Sequence, residues 1–297
     1  MVRLVVTDMD GTLYSWIDYI VPAVEALVGS VERSTGWPRI KIVQALKKVY
    51  SKYESNEYPF VLQESEIFDA FPEFGSFDKL IIEPARTAFV DARKKYLQPY
   101  SGVMETLEKL KQRGIPVVAL TDAPRNPVEL RAKMLKLDQY LDGIYCLPGF
   151  EFPKDDDGGK KISRRIEQKE QKGEYRAACN IVELPRNYEK PNPLGLQRIC
   201  QDMGISPKQT LVVGDALKKD VAVAREVGAV DCWAEYGTYV SLEYKERLEI
   251  ISAPAITKRH AASILEGDAR NSAHPTHRLS NFAQILEIID SVSEQSR

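Results

Sequence analysis

The sequence predicts an α/β fold, a parallel sheet with helices on both faces, to which a mainly helical insertion is added. Three observations predict it. The runs at 2–7, 114–120 and 210–213 are almost continuously apolar, as in strands buried on both faces of a parallel sheet. Stretches with apolar residues three or four apart lie between them, and strand alternating with helix gives parallel strands joined by crossover helices. Each run also ends beside a residue able to do chemistry, Asp8, Thr121 or Asp215. Open sheets of this kind gather their ligands at the carboxyl ends of the strands.

The first run, Val2-Arg3-Leu4-Val5-Val6-Thr7, delivers Asp8 and Asp10 to its end, and Gly11 lets the backbone turn sharply. Two close acids repel unless a cation or a shared proton lies between them. The pair is therefore either a metal site with a nucleophile or two solvated aspartates where a strand becomes a loop. Residues 15–98 then leave the sheet pattern, with helical spacing at 37–53 and 77–96. Aromatics are dense there, among them Trp37, Tyr50, Tyr53, Tyr58, Phe60, Phe74 and Phe77, and are expected to pack the insertion's own core. Tyr14, Trp16 and Tyr19 follow the Asp8 loop directly and are expected to face the site.

The chain returns to the sheet near residue 98. A helix at 103–113, closed by Gly114, leads into the strand that ends at Thr121, whose hydroxyl can donate to an anionic oxygen. A helix near 127–136 and a strand at 143–146 follow. In Glu189-Lys190-Pro191-Asn192-Pro193, Asn192 reads as an N-cap and Pro193 as the first position of a helix running to about 203. Lys190 places a positive point charge before that helix. The run at 210–213 leads to Gly214-Asp215, then Asp220, a helix at 221–227 closed by Gly228, and a strand at 229–233. An amphipathic helix is expected at 281–289.

At 297 residues the chain suits one large domain or a core with a smaller accessory domain. A formal net charge of −2 gives no electrostatic reason to expect nucleic acid or an anionic membrane as partner. No apolar run approaches the roughly 20 residues that span a bilayer, and the chain enters a core strand at once, so no signal peptide is expected. Cys146, Cys179, Cys200 and Cys232 lack Cys-Xaa-Xaa-Cys spacing and read as free thiols, with Cys146 and Cys232 buried in strands. These features lead us to expect a cytoplasmic protein. His260, His274 and His277 read as ordinary surface or core residues. Two segments stand apart. Residues 149–188 carry mixed charge, with alternation at 163–172 that suits an exposed helix, and read as a solvated excursion. Residues 237–277 suggest no function.

Asp8-Met9-Asp10-Gly11-Thr12, Thr121, Lys190-Pro191-Asn192-Pro193 and Gly214-Asp215 with Asp220 resemble, in order, the four motifs of the haloacid dehalogenase-like (HAD) hydrolases. The resemblance covers about residues 1–15 and 100–235. It implies a Rossmann-like catalytic core, residues 1–14 and 99–297 with inserts near 149–188 and 237–277, and a helical cap of the C1 type at 15–98. It further implies that Asp8 is a nucleophile forming an aspartyl-phosphate, while Asp10 protonates the leaving alcohol and then activates water. Thr121, Lys190 and the backbone N–H groups of Met9 through Gly11 would hold the phosphoryl oxygens. Mg²⁺ would be held by Asp8, the Asp10 carbonyl and Asp215, a set of hard oxygens with no His or Cys placed to compete. Asp220 would orient Lys190 or a metal-bound water. Asp122 stands beside the substrate site where the family often has Asn. A third acid there must be turned away or paired, for instance with Arg125.

Family dehalogenases lack the second acid, so Asp10 points to phosphoryl transfer. The expected activity is hydrolysis of a small soluble phosphorylated metabolite. Sugar phosphates, phosphoglycolate and nucleotides all remain open as substrates. A phosphomutase of the same superfamily is the alternative enzyme, and a non-catalytic binding protein on the same fold the alternative from another class. Oligomeric state is not set by the sequence.

Overall fold

In the computed structural model the strands are β1 (Leu4–Thr7), β2 (Val117–Pro124), β3 (Gly143–Leu147), β4 (Asn180–Glu183), β5 (Thr210–Gly214), β6 (Val230–Trp233) and β7 (His277–Arg278). The structure describes residues 1–71, 78–151, 176–257 and 274–294. The strands form one sheet in the order β4-β3-β2-β1-β5-β6-β7, and every pairing is parallel. The chain works outward from β1 in one direction and then crosses to β5 to work outward in the other. The order therefore reverses beside β1, which is where ligands bind in open sheets.

The helices are α1 (Trp16–Thr35), α2 (Arg39–Tyr53), α3 (Glu66–Ala70), α4 (Glu83–Tyr96), α5 (Val103–Gln112), α6 (Arg125–Met134), α7 (Leu194–Met203), α8 (Ala222–Val227), α9 (Leu242–Ile251) and α10 (Ile285–Glu294). Alternate strand residues serve opposite faces of the sheet. Leu4, Val6, Val118, Leu120 and Val212 pack against Leu196, Ile199 and Cys200 of α7 and Val223 and Ala224 of α8. Val5, Val117, Ala119, Ile144, Leu211 and Val213 face the other way, into a core that continues through α5 and α6 into α1, α2 and α4. Both faces of the central strands are thus dry, which is why their sequences are continuously apolar.

Helix α1 starts where Ser15 Oγ accepts from Asp18 N and stops at Gly36, whose φ of 70° is left-handed. It carries the insertion's packing, against α4 and α2 and also against α9. Helix α9 belongs to the segment for which the sequence suggested no role, and it is tied to the insertion by polar contacts. Lys47 Nζ donates to the carbonyls of Glu249 and Ile250 at 2.8 and 3.0 Å, near the α9 C-terminus, where a cation is favoured. Arg247 pairs with Glu25 at 2.6 Å, and Asn56 Nδ2 donates to Ser252 Oγ at 2.7 Å.

Several expectations change. Strand β2 does not end at Thr121 but runs to Pro124, with a register irregularity against β3 between Leu120 and Pro124. Part of the 149–188 segment is β4, an edge strand, and β7 adds a further edge strand in the tail. Helix α2 begins at Arg39, and a π-helical turn at Asp78–Ile82 precedes α4. Another at Leu217–Val221 precedes α8. The readings of an exposed helix at 163–172, of Phe74 and Phe77 and of His260 fall outside the described residues. Among the described residues no helix is long and apolar enough to cross a membrane. Cys146, Cys200 and Cys232 are buried free thiols and Cys179 is partly buried.

Candidate active site

Thr7 pairs in register with Ala119 on one side and Val213 on the other. The carboxyl half of β2 and the carboxyl end of β5 therefore bring Thr121 and Asp215 beside Asp8. These residues, with Asp10, Lys190 and Asp220, line one cavity of about 190 Å³.

Asp8 is buried, and its Oδ1 accepts from Lys190 Nζ at 2.7 Å. The same ammonium donates to Asp220 Oδ1 at 2.6 Å and to Leu120 O at 3.1 Å. Asp220 Oδ2 accepts from Ala216 N at 3.1 Å, so both its oxygens are engaged. Gly214 gives Asp220 its room, because a Cβ at that position would lie 2.1 Å from Asp220 Cγ. Burial alone would lower the Lys190 ammonium, but Asp220 and Asp8 hold it well above its ordinary value, so it is a fixed cation. Burial pushes the Asp8 carboxyl up to about 7 against the pull of Lys190. Asp215 is raised well above its ordinary value by burial and then by Asp8 and Asp220.

Carboxylate oxygens of Asp8, Asp215 and Asp220 lie within 4.8 Å of one another. The Asp215 carboxylate accepts no hydrogen bond among the described residues, while Trp233 Nε1 fixes its backbone by donating to Asp215 O at 2.8 Å. An all-oxygen cluster with this excess of negative charge suits a small, hard divalent cation. Gly11 packs against Asp215 at a φ of 77°, and a Cβ there would lie 2.4 Å from Asp215 Oδ2. Only glycine meets both conditions.

The Asp10 carboxylate stands outside that cluster. Its Oδ2 accepts from Arg131 Nη2 at 3.0 Å, and its Oδ1 is buried with no hydrogen-bond partner. Burial raises the Asp10 carboxyl while Arg131 opposes the shift. Thr121 Oγ1 accepts from Ala123 N at 3.2 Å, which leaves its proton free to donate toward the cavity.

Four sequence expectations need correction. The Gly11 N–H donates to Tyr14 O at 2.8 Å, so it is not free to hold an anion, and of the expected amides only those of Met9 and Asp10 remain. The Met9 side chain is fully buried, so Met9 can contribute only through its backbone. Asp122 is paired, but not with Arg125. Its Oδ2 accepts from Lys219 at 2.8 Å and its Oδ1 from Lys190 N at 3.0 Å, whereas Arg125 reaches Glu129 and Glu183. Asp122 thus steadies the lysine segment and its charge is already answered. Finally, Trp16 lines the cavity, but Tyr14 and Tyr19 are buried behind it around Arg131.

Sequence reasoning missed several site residues. Arg131 sits at helical spacing among Val128, Ala132 and Leu135, a charged residue on an apolar face, and that signal was available. Glu57, Lys219, Gly237, Val240 and Ile256 also line the cavity. Gly237 lies so close to the Asp8 loop that a Cβ there would fall 1.4 Å from Gly11 O, and Tyr236 donates to Thr12 O at 2.6 Å. Through Gly237, Val240 and Ile256 the described part of the 237–277 segment therefore supplies a wall of the site.

A family model for haloacid dehalogenase-like hydrolases matches residues 2–228. Over 207 residues the chain is 23% identical to the glyceraldehyde 3-phosphate phosphatase of Pyrococcus furiosus, covering 63% of this chain and 70% of that protein. It is 24% identical over 249 residues to the glyceraldehyde 3-phosphate phosphatase of Methanopyrus kandleri, covering 82% and 88%. It is also 24% identical over 146 residues to the pyrophosphatase PpaX of Bacillus cereus, covering 48% of this chain and 51% of that protein. Among solved structures, a 2-haloacid dehalogenase from Pseudomonas syringae superposes with a TM-score of 0.56 at 17% identity, covering 98% of this chain and 100% of that one. A HAD phosphatase from Thermococcus onnurineus gives 0.53 at 15%, covering 97% of each. Likeness at these identities concerns the fold.

Proposed function

The chain belongs to the haloacid dehalogenase-like hydrolases, and from that premise we propose that it hydrolyses small phosphate monoesters through an aspartyl-phosphate on Asp8. The observation that carries this reading is the pairing of a buried Asp8, held by Lys190 at 2.7 Å, with a second acid two residues away that is held separately by Arg131 at 3.0 Å. A nucleophile alone suffices when the leaving group needs no proton. An alkoxide does need one, and Asp10 can supply it.

In the first half-reaction an Asp8 carboxylate oxygen attacks phosphorus, the bond to the ester oxygen breaks, and Asp10 gives that oxygen its proton. In the second, Asp10 takes a proton from water as the water oxygen attacks phosphorus, and the Asp8–phosphorus bond breaks. Lys190, the Thr121 hydroxyl and the N–H groups of Met9 and Asp10 hold the phosphoryl oxygens as charge spreads over them. Asp220 keeps Lys190 in place. Asp8, Asp215 and the Asp10 carbonyl would hold Mg²⁺, which when bound shields the attacking carboxylate from the anionic substrate.

Residues 15–98 act as a cap over a core of 1–14 and 99–297. Trp16, Ile17, Ser55 and Glu57 from that segment close one side of the cavity, and its volume of about 190 Å³ suits a phosphate on a short carbon chain. Glyceraldehyde 3-phosphate, the substrate named for two relatives, is of that size class. The test is phosphate release from a panel of phosphorylated metabolites, with Mg²⁺ and with EDTA, for wild type and Asp8→Asn. Metal-dependent release lost in the variant is the expected result. Release that survives in Asp8→Asn would overturn the mechanism, and isomerised phosphoester without free phosphate would mark a mutase instead.

A further inference from the structure

In the cavity wall, one guanidinium joins the acid Asp10 to a carboxylate of the helical insertion. Arg131 of α6 is completely buried. Its Nη2 donates to Asp10 Oδ2 at 3.0 Å, and its Nη1 donates to Glu57 Oε2 at 2.6 Å and to the Tyr19 hydroxyl at 2.9 Å. Glu57 is held in turn by Trp16 Nε1 at 3.1 Å and by the Tyr19 hydroxyl at 2.6 Å. The Tyr14 ring lies against the guanidinium at 5.6 Å. The donors come from the start of α1, the fork from the core, and Glu57 from the turn after α2.

We infer that Arg131 is the positioning residue for Asp10, and that Glu57 sets how Arg131 holds it. The inference rests on the phosphatase reading given above. The physical reason lies in the shape of the fork. An arginine facing one carboxylate takes both its oxygens in two parallel hydrogen bonds. Here Glu57 and Tyr19 share Nη1, Nη2 grips Asp10 through Oδ2 alone, and both Arg131 Nε and Asp10 Oδ1 are buried without a hydrogen bond. An acid that must hand over a proton and later recover one needs its carboxyl held in place without both oxygens being tied to the cation. The partition also makes the grip conditional, because Glu57 belongs to the insertion and is in place only when α1 and the turn after α2 are seated. A simple structural tie would not need the reacting acid as its third member. Burying two carboxylates around one cation is moreover a poor way to gain stability.

The prediction concerns leaving groups. p-Nitrophenyl phosphate expels a stable anion that needs no proton, whereas a glycerol phosphate expels an alkoxide that does. Positioned acid catalysis contributes about 10²- to 10⁴-fold, so disturbing the position removes part of that factor from the alkyl ester only. We expect Glu57→Gln and Arg131→Lys to lower kcat/KM for the glycerol ester at least about tenfold more than for the p-nitrophenyl ester, with Asp10→Asn setting the full span. Glu57→Gln keeps side-chain size, so it decides the matter if Arg131→Lys melts early. Equal losses on both esters, or no loss on either, would show the trio to be structural and overturn the inference. If wild type releases phosphate from neither ester while Asp8→Asn is equally silent, the phosphatase reading fails first and the inference falls with it.

Discussion

Lys190 Nζ bridges Asp8 Oδ1 at 2.7 Å and Asp220 Oδ1 at 2.6 Å, so one buried ammonium answers two buried carboxylates. Removing it leaves both acids buried with no cation beside them. Lys190→Met should therefore abolish turnover and destabilise the fold by about 3 kcal/mol or more, read as a lowered denaturant midpoint. A variant as stable as wild type would mean that the bridge is not formed in solution.

Asp215 accepts no hydrogen bond among the described residues and lies within 4.8 Å of Asp8 and Asp220 through its carboxylate. Asp215→Asn removes a negative hard oxygen from the cluster. The Mg²⁺ concentration giving half-maximal phosphate release should rise well above that of wild type. An unchanged metal titration would place the cation elsewhere.

Two glycine substitutions should part company. A Cβ at Gly237 would sit 1.4 Å from Gly11 O, inside the loop that carries Asp8 and Asp10. Gly36, the C-cap of α1 at a φ of 70°, has nothing within 4 Å. Gly237→Ala should abolish activity, while Gly36→Ala should cost about 1 kcal/mol of stability and leave turnover intact. Equal activity in the two variants would show that the segment after β6 does not support the catalytic loop.

Glu64 offers a stability prediction with a definite sign. Burial would raise its carboxyl, but the hydroxyls of Tyr53 and Tyr58 and the Lys52 ammonium together hold it below its ordinary 4.5. A depressed folded value means that the stabilisation is complete above the unfolded value and is lost as pH falls through the folded one. Glu64→Gln should thus be less stable than wild type in urea at about pH 7, and the gap should narrow as the pH falls below 4.5. A gap that does not change with pH would deny the carboxylate this role.

What the sequence revealed follows from how each residue is buried. The central strands were legible because both their faces are covered, so Leu4, Val5 and Val6, or Leu211, Val212 and Val213, had to be apolar without interruption. Strand β4, with Asn180 and Glu183 exposed at its ends, and the two-residue β7 are edge strands whose polar residues carry no such pattern. Asp8 and Asp215 were legible because motif and strand end coincide, and Lys190 because its motif stands just before α7. Arg131 stood out only as a charge on the apolar face of α6, and Glu57 not at all, since a charged residue in a turn is ordinarily solvated; only the fold brings them to Asp10. Gly237, Val240 and Ile256 enter the site from a segment with no periodicity to announce it.

The most direct measurement is rapid acid quench of the enzyme turning over a ³²P-labelled phosphate ester, followed by mapping of the labelled peptide. Label on Asp8, absent from Asp8→Asn and chased by water, is the predicted result. Rapid phosphate release with no label on Asp8 at any time, or label on another residue, would contradict the covalent mechanism.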